Sequence, residues 1–395
     1  MSELSPELVL VATCCRWPPS AARDAAVQAA AAAPIDWTRF EQVVARHRVT
    51  SLVCDSLRGA GVEPPPEIAA GLAARSRAAT FRTLGMAAET VRLQKAFDEA
   101  GLPAILLKGA TLAALAYDAP AIKESWDIDL LVSPGDVLAG RDLLERLGYV
   151  MITPSGFDDA KFRRHVDYCK EAVFAHPGLR TAVELHWRLV DNACLLSSLD
   201  LAATQTVAIG GAGVRTLTDG GLYAYLCVHG CNHGWARLKW LADVSAFLSR
   251  RSSDEARALH EAAVTLGAGR ASAVAILLCH QLLGLEVAPD VLARLRADRM
   301  ARWLVANALV SIGHGGGLRE ITPYSKPWML NWLAKFQVMD SLGYTLNEAR
   351  LNWVGVYDRV HMPLPRGLGF LYHLLRLPLW ASRFVGQRLR RADAA

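Results

Sequence analysis

The segment Asp127-Ile128-Asp129-Leu130-Leu131-Val132 restricts the fold more than any other in the chain. Two acids flank one apolar residue, and three apolar residues follow. On a strand, alternate side chains share a face, so Asp127 and Asp129 point the same way, about 6.6 Å apart along the strand. Ile128 and Leu130 then point into a core. Two acids side by side repel each other, an arrangement that is costly unless something positive sits between them. A divalent cation is the natural occupant. Mg²⁺ (or Mn²⁺) suits a few carboxylates together with phosphate oxygens.

The neighbouring segments fit a small mixed sheet. Ala104-Ile105-Leu106-Leu107 is a short apolar run ending in Lys108-Gly109, as a buried strand would be, with a glycine that allows close backbone approach to a phosphate. A helix of small residues is expected from Ala110 to Tyr117, and another from Pro134 to Leu147, stopped by Gly148. Tyr149-Val150-Met151-Ile152 suits a third strand. Tyr168 to Ala175 and Thr181 to His186 suit a hairpin around Pro177-Gly178. Strand, helix, strand, helix and antiparallel strands make a mixed α/β unit. Glu184 lies between apolar Val183 and Leu185. If its strand runs beside the aspartate strand, Glu184 completes a three-carboxylate cluster, and His186 shares its face and could touch phosphate or orient a ligand.

Helices flank this region on both sides. Alanine-rich sequence from about Ser20 to Gly101 repeats apolar residues every three or four positions (Phe40, Val43, Val44, Val49, Leu52, Val53, Leu57), interrupted at Pro64-Pro65-Pro66. After Asp191 the pattern predicts helices over Leu222–His233, Leu238–Leu248, Glu255–Leu266 and Ala271–Leu283. The expected class is α+β. A helical region (1–100) precedes a core (101–190), and a second helical domain (191–345) precedes a basic amphipathic tail (346–395).

The 395-residue chain carries a net charge of +5, and its location matters more than its size. From position 366 onward six arginines stand against Asp393, which accounts for all of the excess. The core lacks a basic stripe, which argues against a nucleic-acid partner. The segment from Phe370 to Arg391 mixes arginines with Phe, Leu and Trp. It could lie peripherally on an anionic membrane or dock as a solvated basic tail. No apolar run is long enough to span a bilayer, and the Leu8–Cys15 run is short for a signal peptide. The eight cysteines form no paired C-x-x-C framework, so they are expected to be reduced, in a cytoplasmic protein.

Other residues have two readings. His229 and His233, one helical turn apart with Cys231 between them, suit a metal pair, but structural or substrate-facing histidines fit better without further ligands. Arg237 and Lys239 could meet a triphosphate or belong to a solvated helix face. Trp126 and Trp187 could stack on a base, with core packing the simpler reading. Trp328, Trp332 and Phe336 have the spacing of a buried helical seam.

Together, Leu106-Leu107-Lys108-Gly109-Ala110, the Asp127–Val132 segment and Glu184-Leu185-His186-Trp187 resemble the bacterial uncharacterised nucleotidyltransferase family, part of the DNA polymerase β-like nucleotidyltransferase superfamily. Arg237-Leu238-Lys239-Trp240-Leu241-Ala242-Asp243 also resembles a helix that this family carries after its catalytic domain. The resemblance spans roughly Asp36 to the mid-300s. It implies a polymerase β-like core that moves an NMP from an NTP, such as ATP, to an acceptor hydroxyl, with Asp127, Asp129 and Glu184 as catalytic residues and metal ligands. Lys108 and Gly109 match the phosphate loop, although Gly109-Ala110 replaces the Gly-Ser of many members. Lys123 stands where an arginine is expected, keeping the charge without the bidentate fork. The acceptor could be a peptide, a sugar or a small molecule. The same acids would serve a phosphotransferase, and the Gly-Ala loop also suits a nucleotide-binding or scaffold protein without turnover.

Overall fold

The structure, a computed structural model, describes residues 4–375 apart from positions 118, 354, 355, 366 and 373. Most of the Phe370–Arg391 segment, with all of its arginines, therefore lies outside the described residues. Seven strands form one mixed sheet: β1 (Ala104–Leu106), β2 (Ile128–Val132), β3 (Val150–Thr153), β4 (Glu171–His176), β5 (Thr181–His186), β6 (Thr204–Ile209) and β7 (Ala212–Leu217). Their order is β3-β4-β5-β2-β1-β7-β6. β2 is central, antiparallel to β1 and parallel to β5.

The alternation in β2 divides the protein. Ile128, Leu130 and Val132 enter one core with Leu106, Val183, Leu185 and Phe174, closed by Leu93 and Phe97 of the long Pro66–Glu99 helix. Leu131 enters a larger core, made mostly by helices before and after the sheet. Asp129 shares the face of Leu131, so it lies between the sheet and the helical part.

Local chemistry sets the helix starts. Ser5, Ser20 and Asp36 each accept a hydrogen bond from a backbone N–H in the first turn that follows, and Ser252 with Glu255 forms a capping box. The helices expected after position 219 are present as Asp219–Asn232, Leu238–Ser249, Ser253–Thr265 and Gly269–Leu283. The apolar Leu8–Cys15 run is mainly the first helix, Pro6–Cys14, buried in the larger core. Among the described residues no helix is long and apolar enough to cross a membrane.

Three expectations are corrected. The chain does not return directly to helix after Asp191, because the β6–β7 hairpin comes first and β7 runs parallel to β1. Tyr168 ends a helix (Asp159–Tyr168, capped by Asp158) instead of opening a strand, so β4 starts three residues later. Trp328 and Trp332 form no buried seam. Both are exposed, because the apolar stripe of the Lys326–Lys335 helix faces a cleft instead of a core.

Candidate active site

Strand register assembles the acids. In the parallel β2–β5 pair, Asp129 stands beside Glu184, and in the antiparallel β4–β5 pair Glu171 stands beside His186. Asp129 Oδ1 and Glu184 Oε2 lie 3.4 and 3.5 Å from His186 Nε2, and Glu171 Oε2 lies 3.3 Å from His186 Nδ1. Asp129 is only 1% exposed, yet neither of its oxygens has an aligned hydrogen-bond partner, nor has either ring nitrogen of His186. A buried carboxylate whose oxygens lack aligned hydrogen bonds suits a cation as its partner. One donor atom each from Asp129, Glu184 and His186 falls within 4.8 Å of the others, close enough to share a metal ion.

Asp127 shares this face just before β2 but stands outside that group of three. Between the two aspartates sits Lys108, whose Nζ is 2.6 Å from Asp129 Oδ2 and 3.5 Å from Asp127 Oδ1. The positive charge that the aspartate pair requires is thus supplied within the chain. β1 delivers it, since pairing Leu106 with Leu130 brings the residues after β1 alongside the start of β2. Gly109 then turns the chain with φ of +76°, a conformation that favours glycine, into the Ala110–Ala116 helix.

The cluster polarises its own members. Burial alone would push the Asp129 carboxyl up, but the Lys108 and His186 charges outweigh it and hold it well below the usual range. Burial, with the Asp129 charge beside it, pushes Glu184 up. Burial opposes charge on Lys108, but the aspartates win and its pKa lies well above the usual value. Burial likewise opposes charge on His186, which the neighbouring carboxylates raise above its ordinary value.

Lys108, Asp127, Glu171, Glu184 and His186 form one wall of a cavity of about 780 Å³, and Asp129 is buried beside them without lining it. The facing wall comes from the helical part: Tyr225, His229 and His233, with Arg237 and Lys239 at the start of the next helix. Burial holds His229 well below its usual value, and holds His233, stacked on Trp240, down to about 4. Both are neutral near pH 7, and among the described residues neither belongs to a possible metal group. Burial and the charges of Lys123 and Lys108 hold Lys239 down to about 8. Arg237 reaches the cavity and pairs with Glu320 at 2.7 Å.

Lys123, expected at the phosphates, is turned away. It is buried against Asp243 at 3.4 Å, and Asp243 also accepts from the Tyr117 hydroxyl. Trp187 is a core residue, donating from Nε1 to the Val166 and Cys169 carbonyls. Trp126 is not in the core. It is exposed between two guanidinium groups, Arg82 at 3.9 Å and Arg48 at 4.7 Å from its ring centre. Sequence reasoning missed Arg48, Tyr225 and the adjacent Lys170 and Glu171 at the start of β4, which line the cavity from three separate parts of the chain. It also missed the third wall, Trp328, Asn331, Trp332 and Lys335 of the Lys326–Lys335 helix with Glu348 and Asn352 beyond. The Trp328/Trp332 spacing was a signal for this wall, but it does not say which way the stripe faces.

No match was found to the chain among curated proteins or among solved structures. A family model matches residues 33–284, which takes in all seven strands, the acids and the His229/His233 helix, and stops before the third wall. A match over more than half of the sequence, on the segments that build this cluster, shows that the chain belongs to the uncharacterised nucleotidyltransferase family.

Proposed function

We propose that the cavity transfers an NMP from an NTP to a hydroxyl of an acceptor, on a sheet of polymerase β-like design. The observation that carries this reading is Asp129: a buried carboxylate, in register with Glu184 and beside His186, with no aligned hydrogen bond to either oxygen. Asp127, Asp129 and Glu184 would hold divalent metal, Mg²⁺ or Mn²⁺, with His186 as a further ligand or as the group that orients Asp129 and Glu184. Bound there, such an ion would neutralise triphosphate charge and favour the ionised form of the attacking hydroxyl.

The remaining roles belong to the chain. Lys108 offers its ammonium to phosphate oxygens once the aspartates have another cation to face, and Gly109 lets the backbone approach them closely. Lys239, Arg237 and Arg48 supply positive charge from the opposite wall, where developing charge on a transferring phosphoryl group needs fixed partners. Glu184, which lines the cavity, is placed to accept the proton of the acceptor hydroxyl.

The test is transfer of α-labelled nucleotide in cell extract, with Mg²⁺ or Mn²⁺ and with chelator. A product heavier by a nucleotide, formed only with metal and lost in Asp129→Asn, is expected. A gain of phosphate alone would establish a phosphotransferase. NTP binding without any product in extract would leave a nucleotide-binding protein.

A further inference from the structure

A second cavity, of about 380 Å³, opens on the helical part of the protein, and none of the catalytic candidates lines it. Five arginines do: Arg16, Arg23, Arg251, Arg257 and Arg294. Three are engaged. Arg23 pairs with Asp24 and Asp55, Arg251 pairs with Asp219 and covers the Phe247 ring, and Arg257 lies 3.7 Å from Asp290.

The other two differ. Among the described residues, Arg16 and Arg294 have no ion-pair partner, although Glu286 lines the same cavity. Arg16 Nε is buried and has no hydrogen-bond partner, and the same holds for Nε1 of Trp17 beside it. The backbone makes room for Arg16. Gly284 ends the Gly269–Leu283 helix with φ of +67°, and a Cβ there would stand 3.1 Å from Arg16 Cζ. A buried guanidinium donor without an acceptor is costly, and a carboxylate or phosphate in the cavity would satisfy Arg16 Nε, with the exposed Arg294 adding positive charge beside it. Ile276, Leu283, Val287 and Val291 give one part of the lining an apolar character, and four serines, His260 and Glu286 add polar groups to it. A volume of this size suits a small organic molecule.

We propose that this cavity binds an organic anion, a phosphate or carboxylate head held by Arg16 and Arg294 and an apolar body lying against the Ile276, Leu283 and Val291 side chains. The site is separate from the catalytic cluster and stands whether or not nucleotidyl transfer is the reaction.

Isothermal titration of the full chain with inorganic phosphate, phenyl phosphate and benzoate tests it. Phenyl phosphate or benzoate is expected to bind at least tenfold more tightly than phosphate, and comparison of the two identifies the preferred head. Arg16→Gln and Arg294→Gln should each weaken binding by about tenfold. Val291→Trp, which fills the apolar end and spares the arginines, should remove the preference for the aromatic probes while the melting temperature is held. Lys108→Gln, in the catalytic cleft, should leave binding unchanged. No heat with any probe, undiminished binding in the Arg16→Gln/Arg294→Gln double variant, or loss in Lys108→Gln with none in Arg16→Gln would each overturn the proposal.

Discussion

Asp129 and Glu184 stand side by side on two parallel strands, and the cation nearest to Asp129 is the ammonium of Lys108. This relationship makes Asp129 both a candidate metal ligand and half of a buried ion pair. The two roles give different predictions.

Asp129→Asn should reduce nucleotidyl transfer by at least about 100-fold, in line with losing a group that acts in the transition state. Viewed from sequence, removing one of two adjacent acids would relieve repulsion at little cost to the fold. With Lys108 2.6 Å away the sign reverses, because Asn leaves a buried ammonium with only the weaker Asp127 contact. Breaking such a pair should cost about 3 kcal/mol, read by urea denaturation without metal. A variant as stable as the parent would show that the Lys108–Asp129 contact carries no stability.

Lys108→Met should make the protein depend on metal. Without the ammonium, Asp127 and Asp129 lose the cation between them, and His186 alone is left to face Asp129 and Glu184. The melting temperature should drop in chelator and recover with Mn²⁺, by a larger shift than the parent shows, since a ligand that binds only the folded state stabilises it. Equal Mn²⁺ shifts in both proteins would mean that the acids do not hold the ion.

Nucleotide affinity should fall as pH rises through about 8, where Lys239 loses its proton. The sign follows from an amine that is charged below its pKa. Attraction for a triphosphate is complete at lower pH and fades above, while a bound anion, by favouring the charged form, moves the decline upward. Lys239→Arg should flatten the profile between pH 7 and 9. A profile unchanged by that substitution would assign the dependence to another group.

Trp332→Ala should raise the acceptor KM several-fold and leave the NTP KM unaltered. The ring lies on the third wall of the cavity, away from the acids, and its Nε1 donates to Asn352, so a partner there would meet an aromatic face with amide groups beside it. Should the NTP constant rise instead, this wall belongs to the nucleotide.

The sequence reached the parts of the fold written in local periodicity. The β2 segment, the long helix after Pro66 and four helices after position 219 were all legible, because each carries its own apolar pattern. The β6–β7 hairpin was missed even though Gly210-Gly211, both with positive φ, is a recognised turn signal. The alternation of Thr204 to Ile209 is weak, since that strand lies at the sheet edge. Trp328 and Trp332 were misjudged because spacing gives a stripe its width but not its partner.

By itself, the sequence determined that two aspartates share a face, that Glu184 sits on a strand between apolar neighbours, and that helices flank the sheet. Only the tertiary structure decided that Glu184 stands beside Asp129, that Lys108 lies between the aspartates, and that Lys123 turns away to Asp243. The physical reason is range. Side-chain alternation and helical period act over a few residues, whereas strand order and register are set by burying two cores at once on opposite faces of one sheet.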